Sequence, residues 1–309
     1  MKSPFLSIIF ALLTISAFGQ SHKIYGVLSG NNEVPPVVTS AAGSFVGTYD
    51  ETTNTLDITV NFWGLADHTG MHIHEAPAGM NGGVIYNFGA AGGSAAVYNG
   101  AGIVLTDPQE VSLLADGLYI NVHSSAYPGG EIRDQIKAIP VTAFDYTIDA
   151  TLAPENEVPP STCTGASGTA SGCYSSANNL LIIEDLSFTL GSPFAGSPGA
   201  HIHDAPAGAN GPIIPGGFLS NGDHALGNPG MLVGAVVLSD ADEIDLLNGD
   251  LYFNVHSEQC PAGAVRDQIN AVAIPPIPTM GQWGVGVLSL LLLIVGIVFI
   301  RKNKRQFNY

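Results

Sequence analysis

The chain has 309 residues, with 26 acidic side chains against 9 basic ones and a formal net charge of −17. A surface that acidic repels phosphate backbones and anionic lipid, which excludes nucleic acid as a partner. Domains commonly run to roughly 100–200 residues, so the length leaves room for more than one core. The N-terminus reads Met1-Lys2-Ser3-Pro4, followed by an apolar run over residues 5–18 and the small residue Gly19. That pattern predicts a secretory signal peptide over residues 1–20, its apolar run being too short for a membrane span. Residues 21–277 then keep only Lys23, Arg133, Lys137 and Arg266 against all 26 acids, a net charge of −22.

Strand-forming stretches follow at 23–28 and 44–49, bounded by Gly, Pro and Asn. Leu56, Ile58, Val60 and Phe62 alternate with Asp57, Thr59 and Asn61, the period of a strand with one buried face. Residues 118–123 and 131–137 are further strands, and 180–190 repeats the alternation less cleanly. Asp107-Pro108-Gln109-Glu110 predicts a short helix capped by Asp107 and stopped by Gly117. Asp240 and Glu243 keep that spacing, with Gly249 as the stop.

The chain is internally duplicated. Asn32-Glu33-Val34-Pro35-Pro36 recurs as Asn156-Glu157-Val158-Pro159-Pro160. Residues 72–82 recur at 201–211 with nine of eleven positions identical. Asn121-Val122-His123-Ser124 recurs as Asn254-Val255-His256-Ser257, and Arg133-Asp134-Gln135-Ile136 as Arg266-Asp267-Gln268-Ile269. Order is kept throughout, which places one unit at 22–140 and a second at 144–274. The fold class expected is all-β: two tandem β-sandwich or Greek-key domains, each with one short helix, plus one C-terminal transmembrane helix. That last helix is expected over 283–300, an apolar stretch long enough to cover most of a hydrocarbon core. The basic residues of 301–305 would hold its end in the cytoplasm and leave both repeats outside, with the membrane as a partner.

Both units resemble the CHRD domain, the repeat named for chordin and found in bacterial exported proteins. The likeness rests on Glu-Val-Pro-Pro, on His-Ile-His followed by Ala-Gly and Asn-Gly, and on Asn-Val-His followed by Arg-x-Gln-Ile. Asp134 and Asp267 stand where the family's Gly is expected, and Ala264 replaces the acid kept at Glu131. The resemblance implies a module without a settled reaction. In the segment 277–305, Ile277-Pro278-Thr279 followed by Trp283-Gly284, an apolar run and a basic end resemble the IPTLxxWG sorting signal, with Met280 in place of Leu. That resemblance implies a transpeptidase-like sorting enzyme as a partner and display at the cell surface.

His72 and His74 lie two apart on a strand and share a face, and His123 is placed to join them from another strand. His201, His203 and His256 repeat the set. Three imidazoles suit Cu or Zn with one position open. The other reading is that the histidines hydrogen-bond loop backbone, with Asn81, Asn121 and Arg133 completing a polar network and Asn254 and Arg266 as polar support in the second repeat. Residues 70–75 also resemble the copper-ligand strand of Cu/Zn superoxide dismutases, but neither repeat offers those enzymes' spaced His/His/Asp zinc loop. Cys163 and Cys173 flank a Gly/Ser/Thr-rich stretch and are expected to pair, leaving Cys260 free; the odd count keeps other pairings open. No nucleophile motif or phosphate loop appears. Two functions remain, in this order: a non-enzymatic surface-displayed binding or structural module with an extracellular ligand, or a Cu- or Zn-binding metalloprotein, either a plain metal binder or a redox enzyme.

Overall fold

The structure, a computed structural model, describes residues 19–90, 92–193, 199–220 and 230–275, together with 284, 286–294 and 297. The described residues up to 272 form one compact unit, and those from 273 onward belong to another. The expected signal peptide lies outside the described residues apart from Gly19 and Gln20, as do Ile277, Pro278, Thr279, Trp283 and the basic cluster 301–305. Within the expected span, residues 284, 286–294 and 297 are helical. Among the described residues no helix is long and apolar enough to cross a membrane.

The first repeat runs β1 (Ser21–Ser29), β2 (Ala42–Asp50), β3 (Thr55–Trp63), β4 (His68–Glu75), β5 (Gly83–Gly89), β6 (Ala96–Val104), α1 (Asp107–Leu114), β7 (Leu118–Ser124), β8 (Ile132–Gln135) and β9 (Lys137–Pro140). The second runs β10 (Tyr146–Leu152), β11 (Ser167–Ser175), β12 (Leu180–Thr189), β13 (Ala200–Asp204), β14 (Ile213–Ser220), β15 (Gly230–Val237), α2 (Asp240–Asn248), β16 (Leu251–Val255), β17 (Val265–Gln268) and β18 (Asn270–Ala273). In the second, a five-stranded layer is ordered β15-β12-β11-β10-β18 and a four-stranded layer β14-β13-β16-β17, with an isolated bridge from Ala153 to Arg266 between them. The first builds the same layers, and the matching bridge from Ser29 to Arg133 joins them into one nine-stranded sheet. The all-β expectation therefore holds.

Alternation explains the cores. Leu56, Ile58, Val60 and Phe62 of β3 enter the first core with Ile24, Leu28 and Phe45, while Met71, Ile73, Ile120 and Val122 enter from the other layer. Leu152, Leu186, Phe188, Ile202, Phe253 and Val255 do the same in the second. Asp134 and Asp267, which depart from the family pattern, tie the layers together. The Asp134 carboxylate accepts the Val27 N–H at 2.8 Å, and Asp267 accepts that of Thr151 at 2.8 Å.

A third apolar cluster, including Val46, Phe144, Leu180, Ile182 and Val233, lies between the repeats. A buried polar triad accompanies it: Ser44 Oγ donates to the Val233 carbonyl at 2.6 Å, and the Val233 N–H donates to Asn61 Oδ1 at 2.8 Å. Asn61 Nδ2 closes the set by donating to Ser44 Oγ at 3.1 Å. Each of these groups is buried, and each polar atom has a partner, as burial demands. Lys23 pairs with Glu184 across the same seam.

Several expectations need correction. The strand expected over 131–137 is two strands, broken at Ile136, which turns its fully buried side chain into the core as the chain passes between layers. Both helices are capped one residue earlier than expected, by Thr106 and Ser239, with Gln109 and Asp242 at the third helical position. In α2 the Ser239 hydroxyl accepts the Asp242 N–H at 3.2 Å, and in α1 Gln109 Oε1 accepts the Thr106 N–H at 2.9 Å. Gly249 does end α2 in the left-handed region, but after α1 that conformation falls to Asp116 and not Gly117.

The expected Cys163–Cys173 pairing is also overturned: Cys163 bonds to Cys260, and Cys173 is a buried free thiol. The reason is sidedness. Cys163 and Cys260 belong to the core of the second repeat, whereas Cys173 projects from β11 into the seam. Burial there, with Glu184 beside it, pushes the Cys173 thiol up to about 12. Peptide mapping under non-reducing conditions should recover the 163–260 linkage with Cys173 unmodified. Replacing both bonded cysteines by Ser should cost on the order of 3–5 kcal/mol in chemical denaturation, because the bond closes a long loop.

Candidate metal centre

Strand pairing decides which residues meet. In β4 and β7, Gly70 lies opposite His123, His72 opposite Asn121 and His74 opposite Tyr119. Residues two apart share a face, so His72, His74, His123, Asn121 and Tyr119 all project from the side of the layer away from the core. In the adjacent β8, Arg133 lies opposite Asn121 and Gln135 opposite Tyr119. Gly70 keeps the row open: a Cβ there would sit 3.4 Å from His72 Cε1. In the second repeat β13 and β16 place His201 opposite Asn254 and His203 opposite Tyr252, with Arg266 opposite Asn254.

Hydrogen bonding fixes where the histidine lone pairs point. A carbonyl only accepts, so His74 Nδ1–H donates to Gly82 at 3.0 Å and His123 Nδ1–H donates to Pro128 at 3.1 Å. Both rings therefore carry their lone pair on Nε2. His123 Nε2 lies 3.0 Å from His72 Nδ1, and His74 Nε2 is buried with no hydrogen-bond partner among the described residues. His203 donates to Gly211 at 2.9 Å and His256 to Pro261 at 3.0 Å, with His256 Nε2 3.3 Å from His201 Nδ1. In each set one nitrogen from every histidine lies within 4.8 Å of the others. Metal bonds to imidazole are about 2.0–2.1 Å, so small ring movements bring three such atoms onto one ion.

These sites sit in repeats matched by the family model of the CHRD domain, at residues 25–136 and 148–269. The chain belongs to the CHRD domain family. The IPTL-CTERM motif matches residues 275–301 and points to an exported, cell-surface protein. No curated protein and no solved structure matches the chain.

Each CHRD repeat surrounds its histidines with one polar scaffold. The guanidinium of Arg133 lies 3.6 Å from the centre of the Tyr119 ring, and Tyr119 stacks on His74 at 4.9 Å. Arg266, Tyr252 and His203 repeat the stack at 3.5 and 5.0 Å. Arg133 donates to Asn81 Oδ1, to the Met80 carbonyl and to Gln135 Oε1, each at 3.1 Å. Tyr119 and Tyr252 hydroxyls accept the N–H groups of Gly82 and Gly211, whose carbonyls hold His74 and His203. Asn121 and Asn254 face a buried carboxyl group, Glu33 or Glu157, which comes from the Glu-Val-Pro-Pro motif.

Burial controls the charges. It lowers the His72, His74 and His203 pKa values and takes His123 and His256 down to about 4, which keeps the rings neutral near pH 7. Burial raises Glu33 and Glu157 to about 7 despite the nearby arginines. Gly130 and Gly263 lie against these acids at positive φ; a Cβ would meet Glu33 Oε1 at 2.7 Å and Glu157 Oε1 at 2.4 Å.

The tyrosines and the two glutamates stand in the repeated motifs but are not assigned to the site by sequence, nor are the carbonyls of Gly82, Gly211, Pro128 and Pro261. Their signal was present, since every one recurs in register in the other repeat.

The glutamates give a pH test. Between about 4.5 and 7 the folded protein keeps protons on Glu33 and Glu157 that the unfolded chain has lost, so their contribution to stability falls as pH rises. His123 and His256, lowered to about 4, act in the opposite sense, adding stability as pH rises from about 4 to 6.5. Urea unfolding of wild type and the Glu33→Gln, Glu157→Gln variant across this range separates the two. Wild-type stability minus that of the variant should decline from about pH 4.5 to 7 and level off above it.

Proposed function

We propose that the chain is an exported, surface-displayed CHRD module in which each repeat binds one transition-metal ion, Cu or Zn, through His72, His74 and His123 or His201, His203 and His256. The observation that carries this reading is the direction of the lone pairs. The Nδ1–H groups of His74 and His123 are spent on backbone carbonyls, which aims both Nε2 atoms inward; outer-sphere bonds of this kind orient metal-binding imidazoles in general. A buried, unpartnered His74 Nε2 is costly in a purely structural network and useful in a ligand set. A metal bound by three imidazoles would retain a position open to an external ligand.

Asn121, Arg133, Asn254 and Arg266 support the rings without entering the ligand set. The role is binding and display. The tail is read as the substrate of a transpeptidase-like sorting enzyme, with a span that serves only until transfer.

The purified chain should take up two equivalents of Cu or Zn at neutral pH, measured by titration and elemental analysis. His74→Ala should remove one equivalent and His74→Ala with His203→Ala both, while circular dichroism stays unchanged. Absence of stoichiometric metal in wild type would overturn the reading. Mass spectrometry of the envelope-derived protein should find termini lacking residues 301–305; an intact Tyr309 end would mean simple anchoring.

A further inference from the structure

We propose that both tri-histidine centres are built for a monovalent ion, Cu(I), in preference to a divalent one. This rests on the metal-binding reading above and adds the charge of the ion. Among the described residues the ligand sets consist of imidazoles alone, with no thiolate or carboxylate to neutralise the ion. The scaffold behind the rings carries a positive charge: Arg133 stacks on Tyr119 and Tyr119 on His74, with Arg266, Tyr252 and His203 the same. Both guanidinium groups are 1% exposed, and their hydrogen bonds go to neutral amide and carbonyl oxygens. Water therefore screens them little.

One tyrosine ring separates Arg133 from His74 and another separates Arg266 from His203. A buried positive charge at that range opposes any cation bound to the ring, and in proportion to the cation's charge. A dication is thus repelled twice as strongly as a monovalent ion. Copper is the first-row metal available to imidazole ligands in a stable monovalent state. Glu33 and Glu157 are the counterweights, since each lies close enough to its arginine for the pair to interact electrostatically.

The two signs of charge make the test specific. Affinities for Cu(I) under anaerobic reducing conditions and for Zn(II) are measured on the full chain at pH 8 by competition with chelators of known strength. Wild type should bind two Cu(I) and prefer Cu(I) to Zn(II). Arg133→Gln with Arg266→Gln should lower the Cu(I):Zn(II) affinity ratio by on the order of ten-fold. Glu33→Gln with Glu157→Gln should raise it. Scaffold loosening would instead weaken both metals together and leave the ratio fixed, which overturns the proposal. If the arginine variants fail to fold, the direction of the glutamate effect decides alone. Tight Zn(II) binding in preference to Cu(I) overturns this inference but leaves the metal-binding reading standing, whereas binding of neither metal removes both.

Discussion

Each histidine cluster depends on one buried guanidinium. Taking an arginine out of water costs several kcal/mol unless its donors and its face are satisfied. Among the described residues neither Arg133 nor Arg266 forms an ion pair, so the protein meets that cost with neutral acceptors and a tyrosine face. This requirement reaches back into the sequence. Asn81 must turn its amide oxygen to Arg133 while its nitrogen donates to the Val34 carbonyl at 2.9 Å. The following Gly82 must then pass so close to the end of β4 that a Cβ would lie 1.9 Å from the Glu75 carbonyl oxygen. Only because the loop closes this tightly does the Gly82 carbonyl reach His74. The arginine, the loop and the histidine tautomer form one chain of cause, and the near-identity of residues 72–82 and 201–211 is its trace.

The repeats reach the same geometry by different closures. In the first, Thr39 Oγ1 donates to Glu131 at 2.6 Å, pinning the loop after β1 to the turn before β8. In the second, Cys163 occupies the place of Thr39, Cys260 that of Tyr127 and Ala264 that of Glu131. These three changes are one substitution in physical terms. A covalent bond supersedes a hydrogen bond, and the acid that accepted it, left with nothing to accept, gives way to a methyl group. The turn carrying Pro261, whose carbonyl holds His256, is thereby fixed as firmly as the turn carrying Pro128.

What sequence reasoning could see follows from the range of each interaction. Alternation in β3 is local, so its inward face was legible, and so was the shared face of His72 and His74. Repetition exposed the third histidine because the late motif recurs with the early one. The cysteine pairing was not legible, because spacing along the chain says nothing about which side of β11 Cys173 faces. The helix caps slipped by one residue because Asp and Thr, or Asp and Ser, are both good N-caps and stand adjacent. Asn61 looked like an ordinary solvent-facing position of a half-buried strand. Its burial comes from the other repeat, 172 residues away along the chain, which periodicity within β3 cannot register.

That seam also explains how a fused pair of repeats keeps two separate centres. Its polar triad and apolar cluster draw on β2, β3, β11, β12 and β15, all members of the five-stranded layers. The histidines stand on β4, β7 and β13, with His256 directly after β16, so they belong to the four-stranded layers, whose inner faces supply Met71, Ile73, Ile202 and Phe253 to the cores. Each repeat therefore uses the outer face of one layer for association and keeps that of the other for its polar site. Joining the repeats buries the first kind of face, and the second is covered by loops of the same repeat, through Asn81 and Gly82 or Asn210 and Gly211. Among the described residues the seam contributes no side chain to either histidine set, so each set is built wholly from its own repeat.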